Sequence, residues 1–312
     1  MKKEKKMLLV INPKSGKGQI KNRLLEILDI FTKAGYEIHI HITQQAMEAK
    51  DVVARWGGDM DLIVCSGGDG TLNETISGMM ELEHCPELGY IPAGSTNDFA
   101  RSLRIPRQMT AAALAATAGE PYAIDIGKFC QERYFIYVAG FGAFTEVSYL
   151  TSQDKKNLLG HQAYVLEGVK SLSSIKSYPM KVTGGETVCE GDFIFGMVTN
   201  TISVGGFKGL VSQNVSLCDG LFEVLLIETP KTPLELSSIV SSLLLKDDKC
   251  ELVHKFKADS LMVEAEEPVD WVLDGEFGGS HRQVLLENLC QQVKIRRVLS
   301  RALKTGPLQK MT

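Results

Sequence analysis

Four apolar residues, Leu62-Ile63-Val64-Cys65, run straight into Gly67-Gly68-Asp69-Gly70-Thr71-Leu72-Asn73-Glu74, and no other stretch restricts the fold of this chain as tightly. A continuous apolar run entered from the polar Gly58-Asp59-Met60-Asp61 fits a strand covered on both faces, as strands of parallel sheets are. The strand ends at Ser66. Gly67, Gly68 and Gly70 then permit positive φ and let backbone N–H groups approach a ligand closely. Thr71 and Glu74 stand at capping-box spacing, which predicts a helix starting at Thr71 with its positive end turned to whatever the glycines hold. An anion suits that place, with Asp69, the only charge in the glycine loop, available to its Mg²⁺. An ordinary glycine-rich βα turn with a solvated Asp69 fits the same residues.

Two further polar loops follow apolar runs. Met7 to Ile11 reads as a first strand, and Asn12-Pro13-Lys14-Ser15-Gly16-Lys17-Gly18 follows it. The chain has no Gly-x-x-x-x-Gly-Lys-Ser/Thr, and Gly16-x-Gly18 is followed by Lys21 where a dinucleotide fingerprint needs a third glycine. The loop can still cradle phosphate through amides and lysine charge, or be a solvated turn. Leu88 to Ile91 leads into the third, Pro92-Ala93-Gly94-Ser95-Thr96-Asn97-Asp98-Phe99-Ala100-Arg101. Between them, Ile20, Leu24, Ile27, Leu28 and Phe31 fall at helical spacing before Gly35. Tyr36, Ile38, Ile40 and Ile42 alternate with Glu37, His39 and His41, as in a strand near a sheet edge, with Thr43 at its carboxyl end. Helices are predicted over about Gln45 to Trp56, from Asn97, and from Thr110 to Ala118. In open α/β sheets ligands bind at the carboxyl ends of the strands, so three such loops converge on one crevice.

From Tyr122 the grammar changes. Ala123 to Ile126, Tyr134 to Val138, Lys181 to Thr183, Phe193 to Thr199, Leu221 to Ile227, Leu261 to Ala265, Trp271 to Leu273 and Gln283 to Leu286 read as strands, with helices only near Leu158 to Leu172 and Leu234 to Leu244. The basic stretch Lys294 to Lys304 reads as a helix packed back on the first domain. These segments divide the chain into an α/β domain, residues 1–127 plus 293–312, and a β-rich domain, residues 128–292. The net charge of −4 argues against a general nucleic-acid binder. No apolar run reaches about 18 residues, so no span is expected, and Met1 to Lys6 does not open a signal peptide. The expected place is the cytoplasm, with Lys2, Lys3, Lys5, Lys6, Arg296, Arg297, Arg301 and Lys304 offering contact with the anionic inner face of the membrane. Seven cysteines without a Cys-x-x-Cys pair read as reduced thiols. Two acidic glycine turns remain, Cys218-Asp219-Gly220 and Asp274-Gly275-Glu276-Phe277-Gly278-Gly279, and Asp-Gly is also the ordinary hairpin turn.

Asn-Pro-x-Ser-Gly at 12 to 16, Gly-Gly-Asp-Gly-Thr-Leu-Asn-Glu at 67 to 74, Pro-x-Gly-Ser-x-Asn-Asp at 92 to 98, Asp125-Ile126-Gly127, Gly205-Gly206, Asp219-Gly220 and Asp274-Gly275-Glu276 together resemble the soluble bacterial diacylglycerol kinase family of lipid kinases. The resemblance runs over nearly the whole chain. It implies a Rossmann-like nucleotide domain of the NAD kinase/phosphofructokinase type, a β-sandwich second domain, and ATP with Mg²⁺. By the same resemblance Asp69 and Glu276 are similar to the catalytic acidic pair, Glu276 being the general base. Asn12, Thr43, Gly68, Thr71 and Ser95 match nucleotide-contacting positions, and Ser15, Gly16, Gly67, Gly70, Asn73, Glu74, Gly94 and Asn97 complete the loops assigned to the nucleotide. Asp219 resembles the side-chain ligand of a structural Mg²⁺ linked through water to Asp98. Ser95 stands where many members have Thr, as in the sphingolipid-kinase variant, which bears on the lipid and not on the chemistry. The resulting expectation is ATP-dependent phosphorylation of a lipid hydroxyl, diacylglycerol to phosphatidic acid, with a homodimer allowed. An NAD kinase-like phosphotransferase fits Gly67 to Thr71 but not the third loop; a non-catalytic nucleotide or lipid sensor would not need Glu276.

Overall fold

The computed structural model describes residues 5–16, 18–95, 97–131, 133–142, 176–201, 203–204, 207–208, 215–245 and 250–298. The helix expected near Leu158 to Leu172, Gly205-Gly206, and the cations Lys2, Lys3, Arg301 and Lys304 lie outside them. The chain divides into two compact units, Met1–Ile126 with Cys290–Thr312, and Gly127–Leu289.

In the first unit, β1 (Lys5–Ile11), α1 (Leu24–Lys33), β2 (Tyr36–Ile42), α2 (Glu48–Trp56), β3 (Leu62–Gly67), α3 (Asp69–Met79), β4 (Glu87–Pro92), α4 (Asp98–Ser102) and α5 (Met109–Ala118) alternate along the chain. The strands are parallel in the order β2-β1-β3-β4. Met7 to Val10 and Leu62 to Cys65 are at most 1% exposed, which explains why these strands are continuously apolar: helices cover both faces. β2 is the open edge and leaves Ile40 and Ile42 half exposed.

The second unit is built on one antiparallel sheet. Its strands are the end of β5 (Glu120–Phe129), β6 (Arg133–Phe135), β7 (Val138–Gly142), β8 (Tyr178–Gly184), β9 (Thr187–Thr199), β12 (Phe222–Glu228), β13 (Val253–Ala258), β14 (Ser260–Leu273) and the first part of β15 (Glu276–Arg297), with α6 (Pro233–Leu245) between β12 and β13; β10 (Ser203–Val204) and β11 (Phe207–Lys208) form a separate short ladder. β8 and β7 lie end to end in one slot between the long β9 and β14. Phe222, Val224 and Leu226 of β12 enter one core with Phe129, Phe135, Phe141 and Trp271, while Leu225 and Ile227 enter another with Ile239 of α6. Period-2 alternation between two buried faces makes β12 apolar throughout. Phe135 stacks on Phe222 at 5.5 Å, so β6 and β12, far apart in strand order, meet over a single core.

Three expectations need correction. Leu261 to Ala265 and Trp271 to Leu273 form one strand, β14. Tyr134 to Val138 is interrupted by a bend at Ile136 and Tyr137, for a reason given below. Lys294 to Arg297 are strand and not helix: Ile295 pairs in parallel with Leu88 of β4. The deciding signal is the alternation of fully buried Val293 and Ile295 with Lys294 and Arg296. The Arg296 guanidinium pairs with Glu87 and donates to the Thr117 carbonyl at 2.8 Å, and that of Arg297 lies 3.4 Å from the Tyr122 ring centre. These two cations are used within the unit.

Candidate functional site

The three polar loops of the first unit are bonded to one another. Asn12 donates through Nδ2 to Thr71 Oγ1 at 2.9 Å, and the Gly68 amide donates to Ser15 Oγ at 3.1 Å, joining the first loop to the second. Asp98 N–H donates to Asp69 Oδ2 at 3.2 Å, joining the second to the third. Within the third, Asn97 Oδ1 accepts from Gly94 N–H at 3.0 Å while its Nδ2 donates to the Gly94 carbonyl at 2.7 Å. Tyr90, which sequence reasoning missed, donates from its hydroxyl toward the Gly67 carbonyl at 3.2 Å; a buried tyrosine in an otherwise apolar strand was the available signal, since its O–H needs a partner. Glycine is required where the loops touch. A Cβ on Gly94 would lie 2.7 Å from Gly68 Cα, and one on Gly16, whose φ is +57°, would lie 2.3 Å from the Ala93 carbonyl oxygen. Thr43, at the end of β2, is buried and continues the ladder by its N–H to the Ile11 carbonyl at 2.9 Å.

α3 begins at Asp69, capped by extended Gly68, and not at Thr71. The expected capping box is absent because its two members have other partners. Thr71 is buried and accepts from Asn12, and Glu74 accepts the Ala49 N–H at 3.3 Å in the first turn of α2. Asn73 accepts from Ser77 within α3 at 3.4 Å. Asp69 therefore stands in a helical first turn, where the dipole favours negative charge, and is not a solvated turn residue. Its Oδ1 is buried without a hydrogen-bond partner among the described residues. Burial raises its carboxyl above the usual value; the backbone amides of Asp98, Phe99 and Asn97 oppose the shift and the Asp98 charge adds to it. Asp98 itself is buried with its carboxylate 3.7 Å from Arg101. Beside the third loop opens a cavity of about 640 Å³, lined in part by Asn22, Arg23, Ser95, Asn97, Arg107 and Thr110.

In the second unit, Asp274-Gly275 is the two-residue turn between β14 and β15, with φ of 50° and 90° and Leu273 paired to Glu276. Both φ values are those of a type I′ hairpin. Glu276 is exposed at its tip, but Asp274 is buried and accepts the N–H groups of Ile136, Tyr137 and Val138 at 2.7, 3.0 and 3.0 Å. Those amides cannot also join a ladder, which is why Tyr134 to Val138 bends. Asp219 is held differently: Lys257 Nζ lies 3.3 Å from its Oδ2 and 3.0 Å from Oε1 of the buried Glu223. Burial raises the Glu223 carboxyl, against the pull of Lys257. A lysine ammonium thus stands beside Asp219, and among the described residues no group of three or more His, Cys, Asp or Glu side chains is placed to hold a metal ion.

A parallel sheet whose carboxyl-end loops present glycines, amides, a helix N-terminus and a buried carboxylate is the arrangement at which open α/β sheets take ligands. Residues 6–129 match the family model of the diacylglycerol kinase catalytic domain. The chain is 36% identical over 282 residues to a diacylglycerol kinase of Bacillus subtilis (88% of this chain, 91% of the relative), and 33% identical over 293 residues to one of Staphylococcus saprophyticus (93% and 95%). A crystal structure of a diacylglycerol kinase from Bacillus anthracis superposes with a TM-score of 0.73 at 26% identity, over 95% of this chain and 98% of that one. The chain belongs to the diacylglycerol kinase family. It is an enzyme, a lipid kinase of the transferase class. No helix among the described residues is long and apolar enough to cross a membrane.

Proposed function

We propose that this kinase transfers the γ-phosphoryl group of ATP to the free hydroxyl of a diacylglycerol, giving phosphatidic acid, with the first unit binding the nucleotide and the second the lipid. The observation that carries the reading is the buried Asp69 carboxylate, turned among backbone amides at the start of α3, with its Oδ1 unmatched by any close hydrogen bond among the described residues, within a cradle of three loops bonded in series. A lone carboxylate is a sufficient protein ligand for Mg²⁺ when phosphate oxygens and water complete the shell. Asp69 would hold the ion, which would neutralise charge on the transferring phosphoryl group. The Asp219 turn does not fit a second, structural ion while Lys257 neutralises it, so no role is derived through one.

Phosphoryl transfer asks chiefly for positioning and charge stabilisation. The loop amides and the first turn of α3 bind the polyphosphate, with Thr43, Asn73, Glu74 and Ser95 at the rim or in support, and the arginine-bearing cavity beside Ser95 has the volume of a small-molecule site. The lipid oxygen bonds to the γ-phosphorus as the bridge to the β-phosphate breaks and leaves as ADP; the hydroxyl proton goes to the Glu276 carboxylate. A primary alcohol is a poor nucleophile at neutral pH, so that acceptance is worth about 10²- to 10⁴-fold. The lipid is reached at an anionic membrane surface, where Lys5 and Lys6 contribute. The test is Glu276→Gln, assayed with diacylglycerol, other micellar lipid alcohols and NAD. The expected result is phosphorylation of diacylglycerol by the parent, and a variant that binds Mg-ATP normally while kcat falls on the scale just given. Phosphorylation of NAD in place of lipid, or collapse of ATP affinity with normal turnover per bound ATP, would remove the reading.

A further inference from the structure

An Asp-Gly hairpin turn ordinarily leaves its aspartate in water. Here Asp274 is 6% exposed, and what encloses it comes from a segment 137 residues earlier. Tyr137 is the centre of that enclosure. Its N–H donates to Asp274 Oδ1 at 3.0 Å and its hydroxyl to the Asp274 carbonyl at 2.9 Å, so it holds both the side chain and the main chain of the turn. Its own carbonyl accepts from Thr199 Oγ1 at 2.6 Å and from the Asn200 N–H at 3.2 Å, which anchors it to β9. The hydroxyl lies 3.9 Å from where a Cβ on Gly275 would stand, directly under the turn. On the far side of Glu276, Arg133 Nη1 donates to the Phe277 carbonyl at 2.9 Å. Glu276 is therefore an exposed side chain whose flanking carbonyls are both clamped by side chains of the β6–β7 segment, and catalytic geometry tolerates displacements of only about half an ångström.

We infer that Tyr137 is a positioning residue that aims the Glu276 carboxylate through Asp274, an inference that rests on the reading of Glu276 as the base. A two-residue turn clamped on one side only can rock; the hydroxyl removes that freedom by fixing the carbonyl two residues before Glu276. Phenylalanine keeps the ring, the amide and the carbonyl, and removes the hydroxyl that makes this bond.

The experiment is a double-mutant cycle in kcat with Tyr137→Phe and Glu276→Gln, alone and together, with KM for Mg-ATP and thermal melting for each. Tyr137→Phe is expected to lower kcat about three- to tenfold, the range that one hydrogen bond supplies, with KM for Mg-ATP within about twofold of the parent. In the Glu276→Gln background it is expected to have no further effect, because no base remains to be aimed. Equal losses in both backgrounds, or an unchanged kcat, would overturn the positioning role. Near-parental turnover in Glu276→Gln alone would overturn the reading of Glu276 and this inference with it, whereas a disabled Glu276→Gln beside a fully active Tyr137→Phe overturns only the inference. Asp274→Asn gives a second line: it turns an amide N–H toward the backbone donors, and is expected to speed amide hydrogen exchange in 136–138 and to lower kcat by more than Tyr137→Phe. Fast exchange there with parental kcat would also overturn it.

Discussion

Asp69→Asn separates stability from function at one atom. Asp69 Oδ2 accepts the Asp98 amide, the Phe99 and Asn97 amides face the same carboxylate, and Oδ1 is buried with no close hydrogen bond among the described residues. Leaving a buried acceptor unmatched costs about 1–3 kcal/mol, and the helix N-terminus returns about 0.3–1 kcal/mol of that to a negative charge. Asparagine keeps one oxygen for the Asp98 amide, puts an NH₂ donor where Oδ1 stood, and removes the charge, so the gain comes from ending the burial of a charge. The net expectation is a ligand-free variant more stable by about 1 kcal/mol, a rise in melting temperature of about 2–4 °C for a protein of this size, together with loss of phosphoryl transfer. The pH dependence carries a sign. Burial raises the folded-state pKa of Asp69, so the native state takes up the proton first, and its ionisation destabilises the fold as pH rises through that range. The advantage of the variant should be largest at neutral pH and shrink on acidification below the raised pKa. Differential scanning fluorimetry of both proteins between pH 4 and 8, with EDTA and then with Mg-ATP, reads all of this; Mg-ATP should stabilise the parent by its binding linkage and the variant far less. A ligand-free variant that melts several degrees below the parent at pH 7 would refute the reasoning, since Asp69 would then be satisfied by its surroundings.

Gly94→Ala would place a methyl 2.7 Å from Gly68 Cα, and backbone cannot yield as a side chain can. The loops are expected to part at a cost of about 1–3 kcal/mol and Mg-ATP affinity to fall about tenfold by calorimetry; unchanged affinity would show that their contact does not shape the nucleotide site. At the membrane, sedimentation with anionic vesicles is expected to weaken as salt rises. Arg296→Gln should leave it unchanged while lowering the melting temperature, because Arg296 is bound to Glu87 and Thr117; salt-indifferent sedimentation, or loss of vesicle binding without loss of stability, would contradict this.

The α/β half of the fold was legible because its strands are buried on both faces and its loops carry glycines at contact points, both of which leave residue-level marks. Met7 to Ile11 and Leu62 to Cys65 could not be anything but covered strands. What stayed hidden was whatever depends on a distant partner. Thr71 and Glu74 satisfy a local capping rule, yet Asn12 and Ala49 take them. Lys294 to Arg297 carry helix-friendly charges, yet the alternation of Val293 and Ile295 against β4 decides. In each case the local rule described a real preference of about 1 kcal/mol or less, and a buried tertiary contact outweighed it.

Asp219-Gly220 and Asp274-Gly275 make the same point within one unit, from identical dipeptides. Both glycines have positive φ, 75° and 90°, but only at Asp274-Gly275 does the aspartate share it, at 50°, in a hairpin turn. The aspartates then diverge. Asp219 meets a half-exposed lysine and a buried glutamate, and its Oδ1 caps its own turn through the Leu221 N–H at 3.3 Å. Asp274 meets three aligned N–H groups of a chain segment that gives up its strand to provide them. A carboxylate surrounded by backbone donors is fixed in direction as well as stabilised, and the segment that carries those donors is itself tied to β9 through the Tyr137 carbonyl. That rigidity passes along two peptide units of main chain to Glu276, whereas a lysine ammonium on a flexible stem would pass on little. The turn followed at once by an acid is the one with a rigid support, which is what Glu276, as the proposed base, would need in order to meet a hydroxyl proton at a repeatable distance.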